Sequence, residues 1–114
     1  MSDSIFTKII KREIPAQIEY EDDEIIAFKD IDPKAPFHTI IIPKKQIPTI
    51  NDLKEADAEL MGKIFLVAAK LAKKYEIDKK GYRLVFNCNE DAGQTVFHIH
   101  CHLMGGRKML WPAG

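Results

Sequence analysis

The stretch Phe97-His98-Ile99-His100-Cys101-His102-Leu103-Met104 places three of the chain's four histidines at alternate positions. Apolar or soft side chains occupy the positions between them. Because successive side chains of a β-strand point to opposite faces, this alternation predicts a strand over residues 97–104. We expect the three imidazoles to line an open face of that strand, where they are available for chemistry. The row that faces a covering helix is then Phe97, Ile99, Cys101 and Leu103.

The remaining elements follow from hydrophobic periodicity and from turn residues. Four further strands are predicted over residues 18–21, 25–30, 37–42 and 82–88. A short amphipathic helix is predicted over residues 4–11, with Ile5, Ile9 and Ile10 on one face. A long helix is predicted over residues 57–76. Its apolar stripe consists of Leu60, Met61, Ile64, Phe65, Ala68, Leu71, Ala72 and Tyr75.

The order of these elements is one helix, three strands, a long helix and two strands. Short connections between neighbouring strands favour antiparallel pairing. We therefore predict an α+β fold, a five-stranded antiparallel sheet that the short and the long helix cover on one face. The length of 114 residues predicts a single domain over residues 1–114, large enough for a core without disulfide or metal support.

Charge and composition argue against several classes of protein. The 17 basic and 17 acidic residues balance, whereas non-specific nucleic-acid or membrane binding calls for a basic excess. Residues 1–15 carry charges throughout and have no apolar leader core, and no apolar run approaches the roughly 18 residues of a membrane span. Cys88 and Cys101 fall in predicted strands, which is typical of buried, reduced thiols in a cytoplasmic protein.

Three alternate imidazoles allow more than one chemistry. The outer two lie about 13 Å apart along a strand, so all three cannot easily ligate one metal ion with bonds of about 2 Å. Two of them could bind an ion with a third ligand from elsewhere, but the sequence has no CxxC, HExxH or acidic cluster to complete such a site. Three solvated histidines without a catalytic role are the second alternative.

Nucleophilic and acid–base catalysis is the third alternative, and the preceding loop favours it. A neutral imidazole is a good nucleophile near pH 7 when its other nitrogen holds a proton through a hydrogen bond. Gly93-Gln94-Thr95 offers backbone N–H groups, a glycine that permits close approach and a hydroxyl. These groups suit an electrophile that carries negative oxygens, and we expect it to be phosphorus.

The segment over residues 98–104 resembles the His-x-His-x-His-x-x motif of the histidine triad (HIT) family, in which x is apolar. Gly105-Gly106-Arg107 and the tail Trp111-Pro112-Ala113-Gly114 resemble the histidine triad nucleotide-binding (HINT) branch of that family. The resemblance extends from Ile5-Phe6 to the last residue, with the triad, the Gly-Gln-Thr loop and the Trp-Pro tail in the family's order.

The resemblance implies a role for each matching position. His100 would attack the α-phosphorus of a nucleotide and become transiently nucleotidylated, although strand symmetry alone does not select it from the three. His98 would position the neighbouring imidazole, and His102 would contact the phosphate. Phosphate-binding positions of the family match Asn87, Gly93, Gln94 and Thr95. Nucleoside-pocket positions match Asp30, whose carboxylate suits ribose hydroxyls, together with Ile31 and His38.

Two positions depart from the family pattern. Thr95 stands where the branch commonly has serine, so the hydroxyl is kept but an extra methyl group is added. Ala113 replaces the second proline of the usual ending, which makes the tail less stiff. The N-terminal zinc-binding cysteines of some family members have no counterpart in this chain, which further disfavours a metal.

The resemblance implies a purine nucleoside phosphoramidate hydrolase that acts in two steps through His100. We also expect a cytoplasmic location, a proton relay through Thr95 to the leaving nitrogen, and no metal or other cofactor. A dinucleoside polyphosphate hydrolase stays open, although the Trp111-Pro112 ending disfavours it. A nucleotide-binding interaction protein with incidental catalysis also stays open. The expected ligand is an AMP-like purine nucleotide. The expected assembly is a homodimer that joins two sheets and brings the C-terminal segment, with Trp111, near the partner's active site.

Overall fold

The computed structural model describes residues 3–114, so that Met1 and Ser2 of the predicted 1–114 domain lie outside the described residues. Helix α1 is Ile5–Ile10 and helix α2 is Ala58–Lys74. The strands are β1 (Ile18–Glu21), β2 (Ile25–Lys29), β3 (Phe37–Pro43), β4 (Tyr82–Phe86) and β5 (Cys101–Gly105). Short 3₁₀ turns span Ile50–Asp52, Glu55–Asp57 and Glu90–Ala92. Within residues 3–114, no helix is long and apolar enough to cross a membrane.

All five strands form one antiparallel sheet in the order β1-β2-β3-β5-β4. In this register Ile40 lies opposite Phe28 on one side and His102 on the other. The predicted α+β class, with five antiparallel strands, one long helix and one short helix, is confirmed.

The helices cover both faces of the sheet, so the expectation of a single covered face is wrong. Helix α2 packs on Ile25, Ala27, Ile41, Cys101 and Leu103, whereas α1 packs on Ile26, Phe28, Ile40 and Ile42. The unbroken apolar runs of β2 and β3 are the sequence signal for burial on both sides, because a strand with one solvated face alternates instead. The histidines lie on the α1 face and are therefore covered.

Strand β5 begins at Cys101 and not at Phe97, which corrects the predicted strand over residues 97–104. The backbone N–H of Ile99 donates to the carbonyl of Ile47, 2.7 Å away, in the loop that follows β3. This loop, rather than β3 or β4, thus satisfies the backbone N–H of Ile99. His98 and His100 precede the regular strand, and Phe97 is half exposed instead of facing a helix.

Other differences are local. In α1 the buried apolar residues are Phe6 and Ile9, while Ile5 is 45% exposed, so the predicted face is displaced by one residue. In α2, Phe65 is 51% exposed although its spacing placed it in the core stripe. Cys88 lies beyond the end of β4, whereas Cys101 is buried within β5 as expected. The helical spacing of apolar residues identifies the buried face of each helix. Whether a residue at the edge of that face is buried depends on the neighbouring elements that pack against it.

Candidate active site

A cavity of about 330 Å³ opens on the α1 face of the sheet. Its apolar wall comes from α1, the segment after it and β2, and its polar wall comes from the histidine segment. Of the sequence-predicted site residues, the structure places Asp30, Ile31, Thr95, His100 and His102 around this cavity. A concave, mainly apolar pocket with a few convergent polar groups is the usual form of a small-molecule site.

The ring of His100 is held by its own neighbour. Its Nδ1 lies 2.8 Å from the carbonyl oxygen of His98. A carbonyl only accepts, so Nδ1 carries the proton and donates, and in the neutral ring Nε2 keeps its lone pair. His100 lines the cavity, and its other ring nitrogen is therefore a bare acceptor at a pocket of ligand size.

His98 is held in the opposite tautomer. Its Nε2 donates to the carbonyl oxygen of Pro43, 2.7 Å away at the end of β3. The ring is only 1% exposed and does not line the cavity. Its Nδ1 has no hydrogen-bond partner among the described residues. His98 therefore anchors the segment before β5 to the sheet and presents its own carbonyl to His100.

His102 belongs to a chain of hydrogen bonds that begins in the loop after β2. The backbone N–H of Lys34 donates to Nδ1 of His38 at 3.0 Å, so His38 carries its proton on Nε2. That Nε2 lies 2.8 Å from Nδ1 of His102 and donates to it. The proton of neutral His102 is consequently on Nε2, which makes its free edge a hydrogen-bond donor.

Burial keeps these imidazoles neutral. Desolvation lowers the pKa of His98, of His100 and of His38 below its ordinary value. Desolvation, reinforced by His100 and His38, lowers the pKa of His102 to about 4. The Asp30 carboxylate acts in the opposite sense and raises the pKa of His102, because it attracts a positive charge on the ring. At pH 7 the site therefore combines a bare imidazole nitrogen on His100 with an N–H donor on His102.

Phe6 is part of the site although its position in the sequence did not suggest so. Its ring packs edge-on against His100 with centroids 4.9 Å apart, and against Phe28 at 5.4 Å. This contact desolvates the imidazole and fixes its plane. The available signal is the Phe6–Ile9 pair at i, i+3 in α1, which is weak in a helix of 6 residues.

In the loop before the histidine segment, Thr95 lines the cavity. The backbone N–H groups of Gly93 and Gln94 donate within the loop, to Glu90 and Asn89. The Gln94 side chain is buried and donates to the carbonyls of Pro48 and Val96, at 2.8 and 3.1 Å. Gln94 thus shapes the loop, and Thr95 supplies its exposed hydroxyl.

Of the nucleoside-binding candidates, Asp30 and Ile31 line the cavity. His38 does not line it and contacts His102 instead, which corrects its predicted place in the nucleoside pocket. Asp30 follows β2, and its Oδ1 accepts from the backbone N–H of Asp32 at 2.8 Å. Ile31 is 92% exposed beside it. Asn87, just after β4, is half-buried and does not line the cavity. Its contact with a phosphate stays a prediction.

Asp30, His38 and His102 could hold a metal ion, because one ligand atom of each lies within 4.8 Å of the others. The hydrogen bonds do not fit such an ion. Ligation through His38 Nε2 would move its proton to Nδ1, where it would oppose the Lys34 N–H. The hydrogen bond from His38 Nε2 to His102 Nδ1 already fills the space between the two rings. These three side chains therefore suit a hydrogen-bonded arrangement better than a metal site.

These features define a class of protein. It is an α+β protein with a buried row of neutral histidines at the mouth of an apolar cavity, built for nucleophilic attack next to a hydrogen-bond donor.

Comparison with known proteins specifies the class further. The HIT domain matches residues 11–109. A purine nucleoside phosphoramidase of Escherichia coli is 50% identical over 107 residues, which are 94% of this chain and 90% of that protein. A HIT family hydrolase of Legionella pneumophila superimposes with a TM-score of 0.96 at 53% identity, over 98% of this chain and all of the other. A histidine triad nucleotide-binding protein of Candida albicans gives a TM-score of 0.83 at 32% identity, over 98% and 85% of the two chains. The chain belongs to the HIT domain family, which confirms the predicted resemblance.

Proposed function

We propose that the protein hydrolyses purine nucleoside phosphoramidates to a nucleoside monophosphate and an amine. The observation that carries the chemistry is the locked ring of His100, whose Nδ1 donates to a carbonyl and whose Nε2 is bare at the cavity. The choice of the P–N bond rests on the similarity to the phosphoramidase of Escherichia coli. A cytoplasmic location is part of this proposal and is supported by the free thiols of Cys88 and Cys101.

The reaction has two steps with one covalent intermediate. His100 Nε2 attacks the α-phosphorus, the P–N bond to the amine breaks, and the amine leaves with an added proton. Water then attacks the same phosphorus, the bond to His100 breaks, and the nucleoside monophosphate is released. The proton that water gives up replaces the one passed to the amine in the first step. Splitting the displacement in this way replaces one difficult step with two easier ones.

The neighbouring groups have separate tasks in this scheme. His102 donates from Nε2 to a phosphoryl oxygen, where negative charge develops. Thr95 passes a proton to the departing nitrogen, because an amide-like anion is a very poor leaving group. His98 holds the ring of His100 through its carbonyl and so preserves the nucleophilic tautomer.

The nucleoside occupies the cavity between α1 and β2. Asp30 accepts from the ribose hydroxyls, while Phe6, Ile9 and Phe28 form an apolar wall for the base. Thr95 and Asn87 complete the phosphate environment. The backbone N–H groups of Gly93 and Gln94 already donate within the loop, so these two residues shape the loop instead of binding the phosphate.

The assembly is a homodimer that buries an apolar surface on α2 and β4. Strand β4 is an edge of the sheet, and an exposed edge invites pairing with another strand. Beside it, Phe65 contacts Phe86 with ring centroids 5.9 Å apart, and Leu66 is 67% exposed. We call Phe65, Leu66 and Phe86 the α2–β4 surface. A second copy is the proposed occupant, and it places Trp111, 84% exposed, near the neighbouring site.

The decisive experiment mixes the protein with adenosine phosphoramidate, quenches in acid-free denaturant and measures the intact mass. We expect an added nucleotide that peptide mapping places on His100. His100→Asn keeps a donor for the His98 carbonyl but lacks the nucleophile, so it should lose at least about 1,000-fold in kcat/KM. AMP binding and thermal stability are its controls. Retention of a tenth of the wild-type activity would contradict the assignment.

A comparison of substrates separates the two hydrolase alternatives. The cavity wall contributes Lys29 as its cation, whereas a polyphosphate leaving group needs several positive charges. Adenosine phosphoramidates should be cleaved at least about 100-fold faster than diadenosine polyphosphates, a gap of about 2.7 kcal/mol. Equal kcat/KM values would favour the polyphosphate hydrolase. Tight binding of AMP without turnover of either substrate would favour an interaction protein.

A further inference from the structure

We propose that His38 is a positioning residue, which the backbone N–H of Lys34 locks in one tautomer so that His102 must present Nε2–H to the phosphoryl group. This inference rests on the proposed function for its catalytic meaning. It goes beyond that function because the fourth histidine and the loop after β2 then determine what the last histidine of the motif can do.

The direction of each hydrogen bond in this chain follows from its first donor. A backbone N–H can only donate, and the Lys34 N–H lies 3.0 Å from His38 Nδ1. His38 is 6% exposed, so solvent does not offer this ring an alternative partner. Its proton is therefore confined to Nε2, which faces His102 Nδ1 at 2.8 Å. One backbone group thus decides the tautomer of two rings.

The same chain resists protonation of either ring. A second proton on His38 would sit at Nδ1 and face the Lys34 N–H. A second proton on His102 would sit at Nδ1 and face the His38 N–H. Each site of proton uptake already receives a donor, so a proton can enter only when a hydrogen bond breaks. This local cost adds to the desolvation of both rings.

The charged groups around the pair come from several elements. Asp30, which follows β2, lies 3.4 Å from His38 Nε2 through its Oδ2 and favours a positive charge. Asp32 acts in the same sense and Lys34 in the opposite sense, both from the loop before β3. His100, on the segment before β5, disfavours a charge on His102. The Asp30 carboxylate thus favours protonation of both rings, whereas burial and the two hydrogen bonds disfavour it.

A neutral His102 that carries its proton on Nε2 suits the proposed reaction. A His102 ring with a bare Nε2 would repel a phosphoryl oxygen, whereas Nε2–H donates to it. A charged His102 would oppose the positive charge that builds on His100 during attack. Partners that orient metal-bound imidazoles through the second ring nitrogen contribute about 10- to 100-fold to activity, and we expect an effect of this size for His102.

Nitrogen NMR of the resting protein tests the tautomers without reference to any substrate. Long-range proton–nitrogen correlation of the labelled imidazoles should give protonated Nε2 on His38 and His102 and protonated Nδ1 on His100. Lys34→Pro removes the backbone donor and should mix the His38 tautomers, while Lys34→Ala keeps the donor and should leave them unchanged. Protonated Nδ1 on His102 in the wild-type protein would overturn the proposal.

Variants of His38 then test the catalytic meaning. His38→Phe removes the donor to His102, whereas His38→Gln keeps an N–H near the same place. We expect kcat/KM for adenosine phosphoramidate to fall about 10- to 100-fold in His38→Phe. His38→Gln should keep most of the wild-type kcat/KM. In His38→Phe, the His102 signals should shift towards mixed tautomers and titrate at higher pH. Equal losses in both variants, or a His102 tautomer that does not change, would overturn the proposal.

The two proposals fail in different ways. If the resting tautomers are as expected but no phosphoramidate is cleaved, the proposed function is wrong and the orientation of His102 by His38 still holds. If turnover is robust but His38→Phe is as active as the wild type, the function holds and the positioning role is wrong. If His38→Phe does not fold, His38→Gln and the wild-type tautomers decide.

Discussion

Thr95 carries the hydroxyl of the loop before the histidine segment, and it lines the same cavity as His100 and His102. This places it where a proton could reach a departing amine. Thr95→Val keeps the shape and removes the hydroxyl, so kcat/KM should fall most for amines of high pKa and least for activated leaving groups. Thr95→Ser is the matched control and should follow the wild type. A loss in Thr95→Val that is independent of leaving-group pKa would point to another proton donor.

His100 illustrates what a residue can and cannot reveal by itself. Alternation along the sequence makes His98, His100 and His102 equivalent, and only the family resemblance selected the middle one. The structure separates them by their partners, because the Pro43 carbonyl, the His98 carbonyl and the His38 ring impose different tautomers. The chemistry of each ring depends on the partner of its other nitrogen.

At the scale of elements, β5 meets the chain after α2 at a position that admits only glycine easily. A Cβ on Gly105 would lie 2.5 Å from Cδ1 of Ile77, which is 5% exposed. Gly105→Ala should therefore lower the free energy of unfolding by about 1–2 kcal/mol, measured by urea denaturation. The measurement also tests how closely the end of α2 packs on the sheet.

A second substitution provides the control for that contact. Ile77→Val removes the Cδ1 atom and on its own should cost about 1 kcal/mol. In the Ile77→Val background, the additional cost of Gly105→Ala should fall well below its value in the wild type. Simple additivity of the two costs would mean that Gly105 is required for another reason.

At the scale of the whole molecule, the α2–β4 surface predicts association. We expect a species of about 26 kDa, twice the 13.0 kDa chain, in sedimentation at micromolar concentration. Leu66→Glu places a charge on that surface and should give a monomer, whereas Ile50→Glu changes an exposed isoleucine outside it and should not. A wild-type monomer would remove the dimer, and with it the role of Trp111 across the interface.

The buried histidines also make stability depend on pH. The folded pKa of His102, about 4, lies below the ordinary value of 6.5. The unfolded chain therefore binds the extra proton first, and stability is lost as the pH falls below 6.5 towards 4. Between pH 7 and pH 5 this group alone should contribute a loss of about 2 kcal/mol in urea unfolding.

A variant without that imidazole isolates its share. Between pH 7 and pH 5, the free energy of unfolding of His102→Asn should fall by about 2 kcal/mol less than that of the wild type. The other histidines and the carboxylates are present in both proteins. Parallel losses in the two proteins would place the pH dependence elsewhere. Activity is not needed for this measurement, so it is independent of the proposed reaction.

The class of fold, the order of the elements and the residues of the motif were all predictable from the sequence. These are local properties, because strand alternation, helical periodicity and turn residues depend on neighbours within a few positions. The loop and strand patterns also indicated Thr95 and the histidines as polar groups of the site, whereas Asp30 was indicated only by the family resemblance. The HIT domain match confirms the family to which that pattern pointed.

The way those residues work depends on contacts between distant parts of the chain. The carbonyl that holds His98 belongs to Pro43, 55 positions earlier, and the ring that holds His102 belongs to His38, 64 positions earlier. Packing of α1 over the histidine segment, and the Ile47 carbonyl that holds Ile99 outside the strand, are equally long-range. Hydrophobic spacing reports which side of a strand a residue faces. It does not report which donor or acceptor lies opposite a ring nitrogen, and that pairing sets the tautomer, the charge and the role of each histidine.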